Sequence, residues 1–377
     1  MKTLENSIKI LALVVSIFFF TTSLLGAFLP VYYRESGLTL LEIIEILFFT
    51  FLVIGLLPLT LIKIVKNFEA VIVLGIFTTM LFNGVLIYVK NPVILGLFYG
   101  LSIATFWPSF NLLQFRLSEM KVRARTLSLF SAVIPSVSSI AGPATGSLII
   151  TNFGFTTLFA SSIILYLAAF VFSFKIRFAH EVLKLTVPKD KIFLVFFATF
   201  VLWGIVESYW VAYPFFVLGI SGTVLNMGLI YAASGLLISI GTFVVNWISD
   251  IKRTRVEFAI IGAILYSAWY FGIADSSTMF QVVALSIVSG LASAFSLSWF
   301  AYYADTFPKI YYASILVLME VGYMIGRLVN LAPTYTLISK NDYVSYFTLL
   351  GLSSLLLIPF YIKSKRVIDY KLANAKA

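Results

Sequence analysis

Leu316 to Asn330 reads LVLMEVGYMIGRLVN, an apolar run of helix length that nevertheless contains Glu320 and Arg327. A second apolar run, residues 201–216, contains Glu207. An ionisable side chain inside a bilayer costs on the order of 2.5–3.5 kcal/mol on insertion scales, so it usually faces a cavity or a partner. These runs predict that the rest of the chain is a membrane-spanning frame that places the three charged groups beside a pathway.

The composition of the chain supports a membrane frame. Of 377 residues, 61% are hydrophobic and 11% are charged, whereas a soluble domain is about one quarter charged. Apolar runs of about twenty residues, each long enough to cross a bilayer, recur along the chain. The first of them is too long for a cleavable signal and lacks a small-residue cleavage site. Cysteine is absent, which excludes a disulfide frame and a thiolate metal site. We therefore predict an all-α, multi-pass integral protein of the cell membrane.

Turn residues and charges divide the apolar sequence into twelve expected transmembrane helices. The expected spans are Ile8–Val31, Leu40–Leu61, Val71–Val89, Val93–Phe115, Leu127–Ile150, Phe155–Phe174, Phe193–Phe216, Val224–Trp247, Phe258–Ala274, Phe280–Tyr302, Tyr312–Ile338 and Tyr343–Ile362. A basic segment over residues 175–191 divides them into two sets of six. We expect six-helix bundles at residues 1–174 and 192–377, joined by this loop, with a short basic tail at the end.

The positive charges predict the orientation of the chain. The 26 Lys and Arg residues concentrate in the N-terminus, the even-numbered connections, the central loop and the tail. The opposite connections hold only Arg34, Lys90 and Lys340. Because positive residues are enriched on the cytoplasmic side, we expect both termini and the central loop to be cytoplasmic. The net charge of +10 is then explained by topology and by contact with anionic lipids, without a nucleic-acid partner.

The two halves show weak similarity at a fixed offset of 184 residues, the separation between Pro30 and Pro214. The same offset relates Ser23 to Glu207, Arg125 to Lys309 and Gly142 to Gly326. One offset that serves several span pairs indicates an internal duplication. Transporters built from two repeats place the substrate site between them.

A charged connection follows the eighth span. The segment Ser249-Asp250-Ile251-Lys252-Arg253-Thr254-Arg255 resembles the cytoplasmic loop motif G-x-x-x-D-R-x-G-R-R of the major facilitator superfamily. Asp250 would occupy the acidic position and Arg253 and Arg255 basic positions. In the first half, Lys66 stands where the acid would be. The resemblance implies charge pairs that hold one conformation and break during switching.

A second match lies in the fifth span, where Gly142-Pro143-Ala144-Thr145-Gly146 resembles the G-P-x-x-G part of the family's antiporter motif. Glycine allows close helix approach and proline removes an internal hydrogen bond. A packing and bending role without bearing on transport direction stays equally open, and antiport is slightly favoured. We group Arg125 with these residues as a conformational candidate. The resemblance covers essentially the whole chain and implies alternating access of the rocker-switch type.

Helix rise places Glu207 roughly 24 Å and Arg327 roughly 22 Å from the cytoplasmic ends of their spans, so contact is possible. Glu320 and Arg327 are seven residues apart, on one face but two turns distant, and we expect no direct bond between them. Burial favours a neutral acid and a nearby Arg favours a carboxylate, so Glu207 is our candidate for proton coupling. Arg327 would modulate it or anchor an anionic substrate group. A static ion pair between the two and a direct substrate contact are the alternatives, and for Glu320 we favour a structural or conformational role.

Further candidates for the substrate cavity are polar or aromatic residues on the spans expected to border it. They are Ser23, Trp107, Asn111, Gln114, Trp203, Trp210, Ser298, Trp299 and Tyr323. Such a set suits an amphipathic ligand or a sugar ring. Packing or interfacial anchoring is the alternative for any single aromatic residue.

These observations predict a secondary active transporter, proton-coupled, for a small organic solute. No G-x-x-x-x-G-K-[ST] segment supports ATP hydrolysis, and the chain lacks the clustered acids or histidines that a membrane enzyme would need. We expect a monomer without cofactor or metal, whose partners are the substrate, protons and membrane lipids. Efflux by antiport is slightly favoured. Uptake of a sugar or an organic anion, and a receptor that transports nothing, are the alternatives.

Overall fold

A computed structural model describes residues 2–117, 130, 134–176, 185–252 and 255–374, and within these ranges the chain is helical without any strand. The α-helices are α1 (Lys2–Leu25), α2 (Leu29–Glu35), α3 (Leu40–Ile64), α4 (Val71–Tyr88), α5 (Pro92–Leu117), α6 (Ile134–Ser173), α7 (Lys191–Val206), α8 (Ala212–Ser221), α9 (Val224–Lys252), α10 (Arg255–Ala274), α11 (Met279–Thr306), α12 (Tyr312–Ile338), α13 (Tyr343–Leu355) and α14 (Leu357–Asn374). Short 3₁₀ helices occupy Gly26–Phe28 and Lys309–Tyr311.

Nine helical stretches of the described chain are long and apolar enough to cross a bilayer. The number becomes ten if Ala212–Ser221 and Val224–Ile240, which are bent by 115°, count as one broken span. One of the nine, α6, has 40 residues and contains Gly154 with φ 79°, a backbone conformation that glycine adopts readily. Gly154 lies between the expected fifth and sixth spans. Twelve crossings and the orientation of the termini stay predictions.

The expectation of one continuous helix over Phe193–Phe216 is wrong. Helix α7 ends at Val206, and α8 begins at Ala212. Pro214, in the first turn of α8, has no N–H for an internal bond, and its ring crowds the carbonyl four residues earlier, which favours a break before it. The first expected span is interrupted in a similar way. Helix α1 ends at Leu25, a 3₁₀ turn follows, and Pro30 lies in the first turn of α2.

The described chain forms two compact units that interleave along the sequence. The first comprises Met1–Lys184 and Tyr213–Leu236, so it includes nearly all of α8 and the first part of α9. Within it, α1 packs along α6, α5 packs on α3 and α4, and α4 also packs on α6. The expected boundaries at 174 and 192 followed the chain order and assigned residues 213–236 to the second half.

The second unit comprises Leu185–Ala212 and Leu237–Ala377. In it α7 packs on α12 and α14, and α10 packs on α11 and α13. The packing repeats that of the first unit, because α7 with α12 corresponds to α1 with the first part of α6, and α10 with α13 corresponds to α4 with the second part. Its helix α12 has the bounds expected from the sequence, and it carries Glu320 and Arg327.

Candidate functional site

The candidate site forms where α7 and α12 cross at very close range in the second unit. Gly204 of α7 and Gly326 of α12 meet backbone to backbone. A Cβ added at Gly326 would overlap the carbonyl oxygen of Val201 and lie 2.9 Å from the Cα of Gly204. Small residues permit such approach between membrane helices. The contact sets Glu207, three residues after Gly204, beside Arg327, the residue after Gly326.

Glu207 and Arg327 form a hydrogen-bonded ion pair. The Nε of Arg327 donates to Oε1 of Glu207 at 2.7 Å, and Nη2 donates to the same oxygen. The side chain of Arg327 is 10% exposed and that of Glu207 is 32% exposed. Glu207 is the C-cap residue of α7, so the carboxylate sits at the break in the span. The structure therefore brings together the two charged groups that the sequence placed at similar depth.

Glu320 is the third charged group of this cluster. Its Oε2 lies 4.0 Å from Nη1 of Arg327, within ion-pair range but too long for a hydrogen bond. The sequence led us to expect no direct bond, and the separation of two helical turns accounts for the long distance. The side chain is 12% exposed. Arg327 thus lies between two carboxylates, closely bonded to one of them.

Aromatic side chains surround the guanidinium. The rings of Trp210 and Tyr323 each lie with their centroid 5.2 Å from Cζ of Arg327, a cation–π arrangement. One turn before Glu207, the indole of Trp203 donates a hydrogen bond of 2.7 Å to the hydroxyl of Tyr361. Three of the residues predicted to line the substrate cavity, Trp203, Trp210 and Tyr323, therefore lie at this cluster or next to it.

Two other expected cavity residues of this unit are packed inside it. Trp299 is 1% exposed, and its ring lies against those of Phe196 and Tyr361, with centroids 4.7 and 4.3 Å away. Its Nε1 has no hydrogen-bond partner among the described residues. Ser298 is buried as well. Neither contacts the charged cluster in the described contacts, which fits the packing alternative for Trp299.

At the break in the span, backbone carbonyl groups accept hydrogen bonds from side chains of neighbouring helices. The carbonyl of Ser208 accepts a hydrogen bond of 2.7 Å from the hydroxyl of Tyr346 and a longer one, 3.4 Å, from Nδ2 of Asn330. The carbonyl of Val206 accepts one from the hydroxyl of Tyr270. A membrane offers no water to such groups, so the break depends on these donors.

The sequence alone did not identify these donors. Asn330 offered one signal, a polar residue three positions after Arg327 in an apolar run, whereas Tyr346 and Tyr270 resemble many other tyrosines of the chain. Among the described residues, no group of three or more His, Asp or Glu side chains is arranged to hold a metal ion.

The cavity candidates of the first unit are Trp107, Ser23, Asn111 and Gln114. Trp107 contacts the rings of Phe19 and Phe106, with centroids 5.4 and 5.6 Å away, and is half-buried. Ser23 and Asn111 are also half-buried. Gln114 belongs to α5, but its side chain lies outside the described part.

The Gly142–Gly146 segment lies between two helices of the first unit. A Cβ at Gly142 would meet Ser23 of α1, and one at Gly146 would meet the Leu24 carbonyl. On α9, Gly228 faces the carbonyl of Pro143 in the same close way. The segment is therefore a close-packing seam on both sides of α6.

The charged motif over residues 249–255 is described in part. Arg255 begins α10, and its Nε lies 3.0 Å from Oδ2 of Asp305 in an exposed ion pair. Glu257 and Lys365 form another pair nearby in the fold. Arg125 and Arg253 lie outside the described residues, and the side chain of Asp250 does too.

Comparisons with known proteins agree on the type of fold. A family model described as Major Facilitator Superfamily matches residues 11–331. A POT family transporter in complex with 5-aminolevulinic acid superposes with a TM-score of 0.74 at 11% identity, covering 95% of each chain. The human organic anion transporter MFSD10 (TETRAN) gives a TM-score of 0.70 at 11% identity, covering 95% of this chain and 99% of that one. No curated protein sequence matches.

Proposed function

The chain belongs to the Major Facilitator Superfamily, and on that premise we propose that it is a proton-coupled secondary transporter of a small organic solute in which Glu207 carries the proton. The family and the apolar helices make the chain a multi-pass membrane transporter. We assign it to the cell membrane, as a monomer that meets its substrate, protons and lipids and works by rocker-switch alternating access.

The observation that carries the proposal is the position of the Glu207–Arg327 pair at the break between α7 and α8. The N–H of Glu207 bonds back into α7, to the carbonyl of Trp203, and the helix ends there, while Arg327 belongs to the continuous helix α12. Because α7 ends just before Glu207, a movement at this break would separate Glu207 from Arg327 more readily than if both residues lay within continuous helices. A carboxylate that loses its arginine in a medium of low dielectric takes up a proton, and the returning arginine expels it.

The same frame suggests the topology. If α6 counts as two spans divided at Gly154, and α7 with α8 as one broken span, the helices give twelve crossings. An even number agrees with termini on the same side, which the distribution of basic residues places in the cytoplasm. We further propose efflux by antiport, supported by the close seam around Gly142 and Pro143 on α6.

Uptake of an organic anion anchored by Arg327 is the second candidate. It draws on the arginine itself and on the printed description of MFSD10 as an organic anion transporter. Against it, two nitrogens of Arg327 already bond to Glu207. A static ion pair in a receptor that transports nothing is the remaining alternative.

Proton movement in proteoliposomes that contain a pH-sensitive dye tests the proposal. Sugars, organic anions and lipophilic cations are added in turn to wild type, Glu207→Gln and the matched control Glu45→Gln. Glu45 lies near the start of α3 in the first unit, far along the chain from the cluster. We expect a substrate-dependent pH change in wild type and Glu45→Gln and its loss in Glu207→Gln. Coupled transport that survives in Glu207→Gln would refute the role of this residue.

A further inference from the structure

The charged cluster holds one more acid than base. Glu207 and Glu320 face the single guanidinium of Arg327. The other titratable groups that interact electrostatically with these acids are tyrosines, among them Tyr266 and Tyr323, which are neutral near pH 7. With both acids ionised, the cluster carries one net negative charge in a low-dielectric environment. It is completed by one positive charge, from a proton or from a ligand.

The carboxylates of the cluster also have oxygens that accept no hydrogen bond from the part of the chain that the structure describes. Both bonds from Arg327 to Glu207 end on Oε1, so the second carboxylate oxygen has no hydrogen bond within the described structure. The carboxylate of Glu320 likewise makes no hydrogen bond to a described residue. A ligand that supplies N–H donors would satisfy these oxygens, whereas a carboxylate on the ligand would be the third in the cluster and would add further acceptors.

A third unsatisfied acceptor lies at the same break and is fully buried. Asn330 is 1% exposed, and its Oδ1 has no partner among the residues that the structure describes. Its Nδ2 reaches the carbonyl of Ser208, the residue after Glu207, and the hydroxyl of Tyr346 at 2.8 Å. A buried amide oxygen without a donor is costly, but this one lies ten residues, or about 15 Å of helix, beyond Glu320, so it is out of reach of a group that contacts Glu320.

We infer that the charged group recognised at this cluster is an organic ammonium that donates hydrogen bonds to Glu207 and Glu320. An anionic group would raise the net charge of the cluster to two negative charges and would find two nitrogens of the guanidinium already bonded to Glu207. This inference rests on the proposed function, because it assigns the substrate class of the same site. It also gives Glu320 a role in specificity.

Binding to purified full-length protein in detergent tests the inference with four compounds on one aromatic frame. The probes are 2-phenylethylammonium, its N,N,N-trimethyl derivative, 3-phenylpropionate and 2-phenylethanol, each titrated by calorimetry. We expect the primary ammonium to bind most tightly and the anion most weakly. The isosteric change Glu320→Gln should weaken ammonium binding about tenfold or more, because it removes a charge-assisted bond, while Glu45→Gln should leave it unchanged.

Four results would overturn the inference: tighter or equal binding of 3-phenylpropionate, equal binding of the trimethyl derivative, no effect of Glu320→Gln, or no binding of any probe. Failure of the proposed function is separable. Proton-coupled flux of an anion without ammonium binding would keep the coupling and refute the substrate class. Ammonium binding that depends on Glu320, without proton movement, would keep the substrate class and refute the coupling.

Discussion

Arg327 serves two acids with one side chain, and its shape explains how. The planar fork of the guanidinium directs Nε and Nη2 to one oxygen of Glu207 and leaves Nη1 on the side of Glu320. A lysine carries its charge on a single nitrogen and could not address both acids in this geometry. The rings of Trp210 and Tyr323 lie close to the guanidinium and help to hold it in this orientation.

This arrangement predicts unequal costs of removing the partners. Arg327→Gln leaves two acids without a counter-charge, whereas Glu207→Gln leaves Arg327 with Glu320. We expect Arg327→Gln to lower the free energy of unfolding by about 1–3 kcal/mol, below the usual 3–5 for a buried pair because Glu207 is partly exposed. Glu207→Gln should cost less, and adding it to Arg327→Gln should recover part of the loss. Unfolding by SDS in mixed micelles measures these differences.

Lys340→Gln, an exposed change after α12, is the control for the loss of a positive charge. If Glu207→Gln proved as costly as Arg327→Gln, Arg327 would be a partner of Glu207 alone.

At the scale of the helix, the ion pair depends on the contact between Gly204 and Gly326. Each glycine faces backbone atoms of the other helix, so neither position has room for a side chain. Gly142, which corresponds to Gly326 at the offset of 184 residues, also packs closely on a neighbouring helix. Its nearest contact there is Ser23, which corresponds to Glu207, and not a residue that corresponds to Val201 or Gly204.

Gly326→Ala is therefore expected to push α7 and α12 apart. Its methyl group would overlap the Val201 carbonyl, and backbone cannot rotate away as a side chain does. We expect a loss of about 1–3 kcal/mol in the free energy of unfolding together with reduced transport, since Glu207 would move away from Arg327. Flux in proteoliposomes and SDS unfolding check both effects.

The matched control is Gly84→Ala on α4, where an added Cβ meets no atom within 4 Å. Unchanged stability and flux in Gly326→Ala would show that the contact is loose in the working protein.

The sequence predicted these elements unevenly. Glu207, Glu320 and Arg327 were identifiable because a charge in an apolar run stands out without any knowledge of packing. The break after Val206 was not predicted, because Pro214 lies seven residues beyond Glu207 and proline is tolerated in many membrane helices. The hydrogen bonds of Tyr346 and Asn330 to the break were not predictable, since they depend on how helices distant in sequence pack. Helix α12, by contrast, was placed correctly by hydropathy alone.

For the whole molecule, the absence of cysteine from the sequence makes orientation directly measurable. A single introduced cysteine becomes the only thiol of the chain. We expect Lys63→Cys and Lys189→Cys to react with an impermeant maleimide only after the cells are permeabilised, because positive residues favour the cytoplasm. Lys90→Cys and Lys340→Cys should react in intact cells. All four lysines are exposed in the structure.

Reaction of Lys189→Cys in intact cells would place the central loop outside and contradict the expected orientation. The chain without introduced cysteine provides the background signal.

The interleaving of the two units has a consequence for biosynthesis. The first unit includes residues up to Leu236, yet α7, which belongs to the second unit, is synthesised before α8 and α9. Domains usually fold as they emerge from the ribosome, the N-terminal one first. The first unit cannot be completed in that order, because part of it is synthesised after α7. The face of α6 that carries Ser139, Pro143 and Ser147 packs against Gly228 and Gly235 of α9, a helix that is synthesised later. A nascent chain that stops after residue 184 therefore lacks the contacts that cover this face of α6 in the finished unit.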